Sequence, residues 1–120
     1  MTDAPTGTDP LTAPPPAFGE SRAERIAERV FGKRGSASEL GGERDQNFRI
    51  DTADGASVLK ISNPAEDVET LDLQTEAIRH VSSVDPDLPI MRTVPTVDGS
   101  AWTSIDGDDG DHHFVRLFTY

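Results

Sequence analysis

Residues 40–61 read LGGERDQNFRIDTADGASVLKI, and the order of features along this stretch decides the fold. A glycine pair, Gly41 and Gly42, opens a polar loop. Phe48 and Ile50 then alternate with polar residues, Asp54 and Gly55 mark a turn, and Val58, Leu59 and Ile61 form a second apolar run around Lys60. Two short β patterns joined by an Asp-Gly signal predict a hairpin. Successive strand side chains point to opposite faces, so Lys60 shares a face with Val58, and Leu59 and Ile61 take the other. A lysine inside VLKI is costly to bury without an anion. It either meets a phosphate or carboxylate, or lies at a strand edge with its stem over apolar neighbours.

The rest of the 120-residue chain leaves room for one small domain. Cysteine is absent, which rules out disulfides and thiolate metal sites and suits a cytoplasmic setting. No apolar run reaches the length of a membrane span, and the start has neither the basic nor the apolar segment of a signal peptide, so no membrane partner is expected. A formal net charge of −11 argues against nucleic acid, whose phosphates are bound by clustered Lys and Arg. The lysines are Lys33 and Lys60 alone. Such acidity fits either a protein kept soluble at high salt or simply an acidic surface.

Residues 1–19 hold five of the nine prolines, Pro14 to Pro16 among them, and are expected to form a disordered leader. Ser21 and Glu24 have the spacing of a capping box. Ala23, Ile26, Ala27 and Val30 then recur at helical intervals up to Gly32, predicting a short helix over 21–31. Strands are expected at 38–40, 47–51, 57–61, 91–94, 101–105 and 114–119, with a long helix at 68–82. These elements give an α+β fold: a twisted antiparallel sheet with one long helix packed on it and a short leading helix, the architecture of a kinase small lobe. Trp102, Phe114, Leu117 and Phe118 are read as core. In the long helix Leu71, Gln74, Ile78 and Val81 fall at spacings of three and four and should face the sheet.

GERDQNF at 42–48, VLKISNP at 58–64, LDLQTEAIRHV at 71–81 and DPDLPIMRTVPT at 85–96 resemble the amino-terminal lobe of aminoglycoside phosphotransferase-like kinases. The resemblance covers roughly residues 20–120 and points to the hydroxylysine-kinase-like and homoserine-kinase-like branch, some of whose members are fused to an aminotransferase domain. It implies an ATP-dependent phosphotransferase acting, with Mg, on a small hydroxylated metabolite. Residues 20–120 would be its nucleotide-binding lobe. Gly41 and Gly42 would bring backbone N–H groups to the phosphates, Phe48 and Val58 would cover adenine, and Lys60 would reach the α and β phosphates. Glu43 and Gln46 occupy positions where protein kinases have further loop glycines.

The resemblance also implies an acidic partner for Lys60 on the long helix. Glu76 stands at the family's distance in sequence, whereas the helix register favours Gln74, whose amide oxygen could accept from Lys60 without supplying charge. Phe118 and Tyr120 end the strand that in the family enters an adenine-binding hinge. The catalytic Asp and the magnesium-binding acids are expected in a second lobe beyond Tyr120, leaving this chain with no catalytic residue of its own and inactive alone. A non-catalytic nucleotide-binding or partner-docking module is the alternative. Arg44 and Asp45 have two readings, a loop-stiffening ion pair or hydrogen-bond set, and direct phosphate contact by Arg44. His112 and His113 beside Asp106, Asp108, Asp109 and Asp111 are read as a solvated acidic turn rather than a metal site.

Overall fold

The computed structural model describes residues 17–42, 44–63, 67–85, 87, 92–107 and 110–119. Helix α1 (Glu20–Phe31) is followed by strands β1 (Gly35–Leu40), β2 (Gln46–Thr52) and β3 (Gly55–Ile61), helix α2 (Val68–Val84), and strands β4 (Thr93–Val94), β5 (Thr103–Asp106) and β6 (His112–Thr119). All pairings are antiparallel. The order is β1-β2-β3-β6-β4, and β5 joins the same edge of β6 farther along. The six strands and two helices expected from the sequence are therefore present, with ends moved by a few residues. Of the expected strand at 91–94, Met91 lies outside the described residues, as do residues 1–16 of the leader and Tyr120.

Alternation along the strands divides the sheet into two unlike faces. Phe48, Ile50, Leu59, Ile61, Val115 and Leu117 point to one face and are fully buried with Ala23, Ile26, Ala27 and Phe31 of α1. This is the core. The sheet register joins Phe48 to Leu59 and Leu59 to Leu117, so one apolar row crosses three strands under α1.

The start of α1 differs from the capping-box expectation. Its N-cap is Gly19, with no side-chain cap, and Glu24 Oε2 instead accepts from the N–H of Ala37, 2.9 Å away. Glu20 Oε2 likewise accepts from Glu39 N–H at 3.1 Å. Ala37 and Glu39 lie on the edge strand β1, whose outward N–H groups would otherwise lack a partner, and that need outweighs a local cap. At the other end Gly32 terminates the helix as expected, with φ 70 and its N–H on Glu28 O at 3.0 Å.

The described residues before Gly19 are also held in place. Phe18 is buried, its N–H donates to Gln46 Oε1 at 2.7 Å, and its carbonyl accepts from Gln46 Nε2 at 2.8 Å. Its ring meets His113 edge-on at 5.2 Å between centroids. The disordered-leader reading of residues 17–19 is corrected by this double clamp. Gln46, at a loop-glycine position of the kinase pattern, is thus a structural side chain.

Helix α2 lies across the second face and is held more lightly. Asp67 caps it by accepting from Thr70 N–H at 2.8 Å. Leu71 and Thr75 are buried and Ile78 half-buried, whereas Leu73 is 73% and Val81 38% exposed. The buried stripe runs through positions 71, 75 and 78, so the expected placement of Val81 against the sheet is corrected. Leu117 and Phe118 are buried as expected. Trp102 and Phe114 are half-buried and pack edge-on at 5.1 Å, with Trp102 Nε1 donating to Asp72 on α2.

Candidate functional site

Lys60 emerges on the α2 face near the end of β3. The register places Asn47 of β2 on one side of it and Arg116 of β6 on the other; one pair along, Val58 lies between Arg49 and Phe118. Asn47, Val58, Lys60, Arg116 and Phe118 form one wall of a cleft of ≈ 430 Å³, with Gln74, Ala77 and Ile78 of α2 opposite. Cations and amides stand at the Lys60 end and apolar surface at the Val58 and Phe118 end, a division suited to a ligand with one anionic and one flat apolar part. Two other depressions border α2, of ≈ 490 Å³ toward β4 and ≈ 820 Å³ toward β5, and Lys60 lines neither.

The glycine loop folds over the Lys60 end. Asn47 Nδ2 donates to Gly41 O at 3.3 Å. A Cβ on Gly42 would fall 2.3 Å from Asp45 O, so only glycine fits there, while Gly41 has open space around it. Asp45 completes the fold of the loop: Oδ1 accepts from Asn63 N–H at 3.0 Å, and Oδ2 lies 3.5 Å from Lys60 Nζ. The Lys60 side chain is 36% exposed and that of Asp45 12%.

The expected partners of Lys60 on α2 are both corrected. Gln74 Oε1 accepts from Arg116 Nη1 at 2.6 Å. Glu76 turns outward to Arg79 at 3.2 Å and is 71% exposed. Among the described residues, the carboxylate within ion-pair distance of Lys60 is Asp45. The register argument had the right helix position facing the sheet, but a second cation on β6 takes the Gln74 amide, and the loop carboxylate reaches the lysine first. Arg116 was not anticipated. It sits two residues before Phe118 on a strand read as core, and its guanidinium lies 5.6 Å from the Phe118 ring centroid. A charge at alternating spacing within HHFVRLF was the available signal.

Phe48 is also corrected. It is fully buried on the α1 face, on the opposite side of the sheet from Val58 and Lys60, and cannot cover a ligand in this cleft. Even and odd positions of β2 diverge, and the residues of β2 on the cleft side are Asn47 and Arg49. Tyr120 lies outside the described residues. Arg44 is exposed, and its carbonyl accepts from Asn63 Nδ2 at 3.4 Å. His112 and His113 diverge: His112 pairs with exposed Asp106 at 2.6 Å, while His113 is buried against Phe18 with Nδ1 on Ser62 O at 3.0 Å. Among the described residues no group of three or more His, Asp or Glu side chains converges as metal ligands do.

No family model matches the sequence, and no curated protein is significantly similar to it. Solved structures are similar in fold. An amicoumacin kinase in complex with AMP-PNP, Ca2+ and Ami superposes with a TM-score of 0.67 at 14% identity, over 86% of this chain and 31% of that one. A spectinomycin phosphotransferase in complex with ADP and its antibiotic gives 0.65 at 10% identity, over 86% of this chain and 30% of that one. The chain therefore spans about a third of the length of these kinases. No helix among the described residues is long and apolar enough to cross a membrane. At these identities the likeness is one of fold: the chain has the aminoglycoside phosphotransferase-like fold of the amino-terminal lobe of these kinases.

Proposed function

We propose that this chain is the nucleotide-binding lobe of an ATP-dependent phosphotransferase that acts on a small hydroxylated metabolite of the hydroxylysine, homoserine or aminoglycoside kind. The observation that carries the reading is the cleft: Lys60 stands at one end beside Asn47, whose Nδ2 donates to Gly41 O, and Val58 and Phe118 stand at the other, on the open face of the sheet. Val58 and Phe118 would receive the adenine ring. Lys60 would neutralise the phosphates while loop backbone N–H groups approach them. Arg116, tied to Gln74, would add a fixed positive charge along the same wall.

Bound MgATP would supply the transferable phosphoryl group and the metal that shields its charge. The residues of this chain bind and orient it, and the magnesium ligands and the base for the substrate hydroxyl belong to a second lobe. A partner-docking role is the second reading, favoured by the exposed Val68, Leu73, Val81 and Val84 on α2.

Lys33, at the far end of α1, gives the test an internal control. The chain is acetylated with an N-hydroxysuccinimide ester with and without MgATP, and the two lysines are quantified by mass spectrometry. MgATP should protect Lys60 and leave Lys33 unchanged, with a midpoint in the millimolar range, roughly −4 kcal/mol for a lone lobe. Equal labelling of Lys60 at saturating millimolar MgATP favours the docking module.

A further inference from the structure

We infer that Asp45 is the positioning residue of Lys60, so that the carboxylate which aims the phosphate-binding lysine comes from the glycine loop and not from the long helix. The inference rests on the proposed nucleotide-binding role of Lys60, but its first observation is independent of nucleotide. Asp45 Oδ2 lies 3.5 Å from Lys60 Nζ, Gln74 is committed to Arg116, and Glu76 is turned to Arg79 in solvent.

The geometry fixes Asp45 before it meets the lysine. Its Oδ1 accepts from the N–H of Asn63, a buried residue just past β3, and its own carbonyl sits where a Cβ on Gly42 would have to go. The carboxylate is therefore anchored through Oδ1 and its main chain is packed against Gly42, while the lysine is the more exposed member of the pair. Asp45 is mostly buried and holds the loop through Asn63, but Lys60 is 36% exposed and 3.5 Å away, so the contact between the two adds little to stability. Its effect is on direction. An ammonium has three donors; drawn to Asp45 at 3.5 Å, Lys60 keeps donors for a ligand in the cleft it lines. Loop and lysine then present themselves to phosphate as one unit. Immobilising a long side chain in advance removes an ordering cost from ligand binding.

Asp45→Asn separates the two contacts, because the amide oxygen can still accept from Asn63 N–H while the charge toward Lys60 is lost. Without nucleotide, the labelling of Lys60 relative to Lys33 should rise severalfold in Asp45→Asn and return toward wild type in Asp45→Glu. Glu76→Gln should leave the ratio unchanged. High salt screens a pair whose lysine is 36% exposed, so it should raise the same ratio in wild type, a measure that needs no variant to fold, and leave it unchanged in Asp45→Asn. With MgATP, the midpoint for protection of Lys60 should weaken by ~3- to 10-fold in Asp45→Asn, the loss of one prepaid side-chain ordering. A labelling ratio insensitive to Asp45→Asn and to salt, or one that responds to Glu76→Gln, would overturn the pairing. An unchanged or tighter midpoint in Asp45→Asn would overturn the positioning role. If MgATP protects Lys60 in no variant, the nucleotide reading fails and the labelling ratio still decides the pairing.

Discussion

The two faces of the sheet are built from alternate residues of the same strands, yet they differ in almost every property. Under α1, three central strands contribute fully buried Phe48, Ile50, Leu59, Ile61, Val115 and Leu117, and the helix lays four buried side chains onto them. Under α2, the intervening residues are Asn47, Arg49, Val58, Lys60, Arg116 and Phe118, and the helix leaves Leu73, Val81 and Val84 exposed. One face holds the domain together; the other stays open enough for a ligand. In a chain this small one well-packed layer has to supply most of the hydrophobic stabilisation, and that frees the other face to keep charges a core would not tolerate.

Substitutions at matched positions can break or sharpen this contrast. The largest effect is expected from Phe48→Ala, which empties a ring-sized volume in the α1 layer and should cost ~3–5 kcal/mol by urea denaturation. Gln46→Ala comes next. It leaves the buried N–H and carbonyl of Phe18 without their partners and should cost ~1–3 kcal/mol, with earlier exposure of the residue 17–19 segment to protease. On the other face Leu73→Ala should stay within ~0.5 kcal/mol of wild type, because the side chain is 73% exposed. A large loss there would mean that α2 is packed as firmly as α1.

The smallest effect is local and depends on pH. Hydrogen bonds from Thr70, first its backbone N–H and then its hydroxyl, hold the Asp67 carboxyl below its usual 3.8. A depressed carboxyl contributes stability above its unfolded value, and that contribution is lost as pH falls through the folded value. Amide exchange in the first turn of α2 should therefore quicken, relative to its intrinsic rate, below about pH 4. Asp67→Asn, still a competent cap, should remove that dependence.

How much was legible in the sequence follows the same division. Period-two alternation in QNFRI and SVLKI fixed the hairpin and the face of Lys60, because a one-residue slip would put the lysine in the core. The same rule, applied to β2, places Phe48 opposite Lys60. Its assignment to adenine came instead from a motif analogy, and the pleat overrode it. The partner of Lys60 was not legible for a different reason. Asp45 is fifteen positions from Lys60 in sequence and reaches it only because β2 and β3 pair in one register and Gly42 lets the loop fold tightly. Gln74 could be placed on the inner face of α2 by helical period, but its engagement with Arg116 depends on a strand contributed from forty-two residues away. The clamp of Gln46 on Phe18 is likewise a long-range contact that local pattern cannot supply.

The central claim is that ligand binding belongs to the α2 face and stability to the α1 face. The most direct test is a two-dimensional amide NMR titration of the intact chain with MgATP. Shifts should concentrate at Gly41, Gly42, Val58, Lys60, Arg116 and Phe118 and leave Ala23, Ala27 and Phe31 unmoved. Changes centred on α1, or none at millimolar MgATP, would contradict it.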